Sequence, residues 1–83
     1  MIAGAKDYGA IMRGHAYGIL ERVFGAEWIK LDSHAQALVA QDYLDAESED
    51  KCGAREYARR IGRGNLASYA QVMAVRERQG WTR

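Results

Sequence analysis

Eighty-three residues, 48% of them apolar, with no proline and a single cysteine, describe one small domain. That composition excludes a disordered chain, a membrane span of roughly 20 apolar residues, an intrachain disulfide and a Cys-x-x-Cys metal knuckle. The net charge of +1 conceals an asymmetry: residues 51–83 carry eight basic and two acidic side chains, and residues 1–50 carry four basic and nine acidic, which makes the last third the part suited to a polyanion.

The absence of proline favours long uninterrupted helices, and the expected fold is all-α: a single domain over 1–83 with four helices, at about 7–24, 33–44, 53–61 and 65–79. In the first, Tyr8, Ile11, Met12, Ala16, Ile19, Leu20 and Val23 recur at three- and four-residue steps and define a core face. Gly25 suits its C-cap. Gly9, Gly14 and Gly18 fall inside this helix, where each costs about 1 kcal/mol relative to alanine. Gly14 and Gly18 are spaced as small-xxx-small, which fits either a close crossing within the chain or a homodimer contact.

Trp28, Ile29 and Leu31 form an apolar patch under the connection to the second helix. Ser33 and Gln36 match a capping box that would open this helix, with Ala35, Leu38, Val39, Tyr43 and Leu44 on its core face. Five acids between 42 and 50 predict that it gives way after Leu44 to a solvated loop. Cys52 follows, either as a small half-buried residue at a helix start or as a reactive thiol.

The third helix places Ala54, Tyr57, Ala58 and Ile61 inward and Arg55, Arg59 and Arg60 outward. After the Arg63-Gly64-Asn65 turn, Asn65 suits the N-cap of a fourth helix with Leu66, Tyr69, Ala70, Val72 and Met73 inward. Gly80 is placed to stop it, with Trp81 folding back on Val75.

The last two helices have the layout of a helix-turn-helix, in which the second helix presents its first residues to the major groove while the first crosses the phosphates. Ala58 is small enough for a close crossing, Ile61 is buried and Gly62 makes the turn. The second helix fits less well, because Ser68 and Gln71 stand where apolar residues are common. Arg63, Asn65, Ser68, Gln71 and Arg76 are the candidate base or partner contacts, since arginine pairs with guanine and asparagine or glutamine with adenine. Arg55, Arg59 and Arg60 are candidate phosphate contacts.

Over residues 28–79 the order Trp28, Leu31, Ala37-Leu38-Val39-Ala40-Gln41-Asp42-Tyr43-Leu44, a polar gap, Tyr57-Ala58-Arg59-Arg60-Ile61-Gly62 and Tyr69 resembles the fourth region of bacterial sigma factors, and also small phage Q-type antitermination proteins. The resemblance implies a helix-turn-helix that contacts promoter DNA or RNA polymerase, and it carries over to Ala58, Ile61 and Gly62. Arg63 stands where those families have an apolar residue, and the gap is acidic.

Chemistry of other kinds finds little footing. His15 and His34 lack metal-ligand spacing, and no phosphate loop, nucleophile triad or cofactor motif is visible. Asp45, Glu47, Glu49 and Glu56 have the spacing of a calcium loop, but Asp50 stands where its glycine is required. The expectation is therefore a cytoplasmic, non-enzymatic regulator of bacterial or phage type, without cofactor or metal, whose partner is duplex DNA and/or RNA polymerase. The competing expectation is a phage-encoded helical inhibitor that blocks a host protein, with the acidic stretch mimicking phosphates.

Overall fold

The computed structural model describes the backbone from residue 3 to 80 and the side chains from residue 12 to 80. Tyr8, Gly9, Ile11 and Trp81, all assigned roles above, lie outside the described side chains. The protein is a small all-α domain, with no strand among the described residues. Five helices follow in order: α1 (Ala3–Phe24), α2 (Ala26–Ile29), α3 (Ser33–Asp50), α4 (Ala54–Ile61) and α5 (Leu66–Arg78). The four expected helices are all present, and α2 is an addition.

Gly25 ends α1 with φ 63° and an N–H bonded to the Glu21 carbonyl at 2.7 Å. A side chain is rarely tolerated in that left-handed conformation, so the turn depends on glycine. The single turn of α2 then drives Trp28 into the core at 3% exposure, edge-on to Tyr17 with ring centroids 5.4 Å apart. Leu31 is half-buried beside it, whereas Ile29 points outward at 64% exposure and corrects its assignment to the patch.

The cap of α3 is one residue earlier than its sequence pattern implies. Asp32 is the N-cap, and its Oδ1 accepts from the Ala35 N–H at 2.8 Å. A carboxylate accepts more strongly than a hydroxyl and suits the positive end of a helix, so Asp32 displaces Ser33 from that role. Gln36 instead donates from Nε2 to the Trp28 carbonyl at 3.0 Å, tying α3 to α2.

The larger correction is at the other end of α3. The helix does not stop at Leu44 but continues to Asp50, although acids near a helix C-terminus oppose its dipole. Ala46 still packs on the core, Gln41 donates to Asp45 at 3.1 Å, and Arg60 stands 3.7 Å from Asp50. These contacts replace the apolar face that the sequence lacks there. Lys51 closes the helix in the left-handed region at φ 54°. The acids at 45, 47 and 49 thus lie on a helix, which removes the wrap of a calcium loop.

The core lies between α1, α3 and α5. Leu20, Val39 and Leu66 are fully buried, with Ala16, Ala40, Ala70 and Met73 around them. Alanines at these positions let α3 approach α1 on one side and α5 on the other. Leu66, Ala70 and Met73 take the inward stripe of α5, so Val72 falls on the opposite side at 49% exposure, a correction to its inward assignment. Val75 is also exposed. Cys52 is buried between α3 and α4, deeper than the half-burial expected of it.

Gly14 and Gly18 are exposed, and a Cβ built on either meets nothing within 4 Å. A close helix crossing within the described chain is therefore not what they serve.

Candidate functional site

The eight residues of α4 divide two unlike surfaces. Tyr57 faces inward as the hub of an aromatic cluster, edge-on to Phe24, Tyr43 and Tyr69 at centroid distances of 6.4, 5.3 and 6.4 Å. Each buried phenol carries a hydroxyl that needs a partner. Asp42 supplies it: Tyr57 donates to Oδ2 at 2.8 Å and Tyr69 donates to the same oxygen at 2.5 Å. One carboxylate therefore ties α3, α4 and α5 together.

Burial, followed by the bonded Asp42, raises the phenol pKa values, pushing that of Tyr69 up to about 12 and that of Tyr57 further. Ionising either ring would set a second negative charge against the carboxylate.

On this flank a pocket of about 250 Å³ is lined by Asp42, Glu49, Asp50, Tyr57, Arg60 and Tyr69. Arg60 is turned toward it, 3.7 Å from both Asp50 and Glu56. Its charge is offset by two carboxylates before any partner arrives.

The other flank is different. Arg55, Arg59 and Arg63 line a groove of about 380 Å³ between α4 and the end of α1. Four-residue steps place them on one edge, the third where the helix has just ended. Arg59 pairs with Glu56 at 3.1 Å, but Arg55 and Arg63 have no carboxylate partner among the described residues. Gly62 makes the turn at φ 93°, and a Cβ there would strike the Asn65 side chain at 2.6 Å.

Asn65 stands at the N-cap position of α5, as expected, but its side chain makes no cap hydrogen bond there. Its Nδ2 donates back to the Ile61 carbonyl at 3.0 Å, which fixes the turn and occupies one donor. The cap comes instead from Glu27 on α2: its carboxylate accepts from the Gly64 N–H at 3.1 Å and the Leu66 N–H at 3.3 Å. No local pattern announces a partner that far back in the chain.

Ser68 and Gln71 are exposed on α5, and Gln71 lines a second groove, of about 240 Å³, with Ala67 and His34. Arg76 is exposed but lies eleven residues after Asn65, about 16 Å along the helix, away from the arginine groove. The structure thus gathers Arg55, Arg59 and Arg63 along one groove between α4 and the end of α1, turns Arg60 to the acidic flank and leaves Arg76 apart. Asp42 and Glu27 are the residues that sequence reasoning missed.

Direct contact between α4 and α5 is slight. The first packs on α1 and α3, the second on α3 and α2, and Tyr57 with Tyr69 bridges them.

Among the described residues no group of acids, histidines and cysteine is arranged to hold a metal ion, and no helix is long and apolar enough to cross a membrane. No protein-family model, no curated protein and no solved structure matches the chain.

Proposed function

We propose that this chain is a small transcription regulator of bacterial or phage type that grips duplex DNA along the Arg55, Arg59 and Arg63 edge. In this reading α5 lies with its first turns toward the groove, and Ser68 and Gln71 face base edges. The observation that carries it is the groove itself: three guanidinium groups on one edge, two without an ion-pair partner among the described residues, with no acid among the exposed residues Ala67, Ser68 and Gln71 in the first turns of α5. Such a locus gathers phosphates by releasing their condensed cations.

The test is the binding of a fluorescently labelled mixed-sequence duplex, followed by anisotropy across a salt series. The expected result is an affinity that falls steeply on a log–log plot, by about 0.9 per phosphate neutralised. Binding that is absent at low salt, or indifferent to salt, contradicts the proposal.

One observation favours a second reading, a helical inhibitor that blocks a host protein. Val72 and Val75 stand outward on α5 at 49% and 43% exposure, and apolar side chains so placed suit a protein surface better than a phosphate. Under that reading Val72→Ser with Val75→Ser abolishes capture of a single host protein from nuclease-treated lysate. Under the DNA reading the same pair leaves the salt slope of duplex binding unchanged, because a valine neutralises no phosphate.

A further inference from the structure

Among the described residues, Glu27 is the one acidic residue lining the arginine groove. It is held there by the backbone and not by the guanidinium groups, since its two oxygens accept from Gly64 and Leu66. The one-turn helix that carries it is anchored by buried Trp28 and begins at the left-handed Gly25. The carboxylate is therefore a fixed charge, set in the lining of the groove that Arg55, Arg59 and Arg63 share and bonded to the start of α5.

We infer that Glu27 is a built-in counter-charge that limits how tightly the groove holds phosphate, in addition to capping α5. This rests on the DNA-binding reading above. A phosphate entering the groove meets three cations, of which Arg59 is already paired with Glu56, and the fixed anion Glu27, so the net attraction is that of about one charge. Removing the anion strengthens the attraction even though α5 loses part of its cap. A residue that only capped would act in the opposite direction, because a frayed first turn would misplace Ser68 and Gln71.

Two substitutions separate charge from cap. Glu27→Gln removes the charge and keeps one oxygen that can accept an N–H; Glu27→Ala removes both. The Gln variant is expected to bind the labelled mixed-sequence duplex about three- to tenfold more tightly at fixed salt. Its salt slope should steepen by about one unit, as one further phosphate is neutralised. Thermal melting should fall more for Glu27→Ala than for Glu27→Gln.

If Glu27→Gln binds no more tightly than the native chain while Arg55→Ala with Arg63→Ala weakens binding, the inference fails and the DNA reading stands. If the double arginine variant also leaves binding unchanged, both fail together.

Discussion

The two flanks of α4 are built from similar residues and behave in opposite ways. Toward α3, charge and hydroxyl groups are used up internally: Asp42 holds two phenols, and Asp50 with Glu56 offsets Arg60. Toward α1, Arg55 and Arg63 meet no carboxylate partner among the described residues, and Glu27 spends its oxygens on backbone N–H groups. A local excess of arginine therefore says little about what a partner finds. What matters is which side of an eight-residue helix each one leaves from.

The comparison breaks most visibly at Asp42. Replacing it by alanine removes the acceptor shared by two hydroxyls, leaving Tyr57 only its longer bond to the Val39 carbonyl at 3.4 Å, and is expected to cost about 1–3 kcal/mol in chemical denaturation, with Asp42→Asn milder because the amide oxygen still accepts. An Asp42→Ala protein as stable as the native one would mean that the acidic flank is not a structural joint.

Alkaline titration probes the same flank. The Tyr69 pKa is raised from 10.0 to about 12 in the folded chain. A raised folded value means that the native state holds the proton more tightly, so this stabilisation is complete below pH 10 and is lost as pH rises through about 12. Phenolate absorbance should therefore develop later for Tyr69 than in the unfolded chain, and Tyr69→Phe should flatten the alkaline loss of stability.

A smaller effect is expected at α1, remote from both flanks. Since Gly14 and Gly18 face open space, alanine at each should raise stability by about 0.5–1 kcal/mol. A loss of stability that depends on protein concentration would instead place a second copy against that face, the homodimer contact anticipated from their spacing.

The smallest change is expected at the exposed pair of His34 and Glu77, 2.7 Å apart. His34→Ala should shift stability by no more than about 0.5 kcal/mol.

Much of the fold is legible in the residues. The period of Ala16, Ile19, Leu20 and Val23, the stop at Gly25, the inward set of α4 and the turn at Gly62 all follow from spacing and from the backbone freedom of glycine. The last turns of α3 are not legible, because their acids argue locally against a helix and Arg60, which steadies them, arrives only through the tertiary fold.

The site is legible in part. The run from Arg55 to Arg63 reads as basic, but its division into two flanks depends on Glu56 and on the approach of α3. Asp42 left a trace, since an acid within an apolar stretch followed by two inward tyrosines points to a buried partner for their hydroxyls. Glu27 left none: it caps a helix some forty residues away, and Asn65, the local candidate, is turned back onto α4.

The most direct test compares arginines from the two flanks in one salt series against a labelled duplex. Arg55→Ala with Arg63→Ala is expected to flatten the salt slope by about two units with melting unchanged, while Arg60→Ala leaves the slope in place. Equal flattening by Arg60→Ala, or none by the double variant, would contradict the division of α4 into a closed flank and an open one.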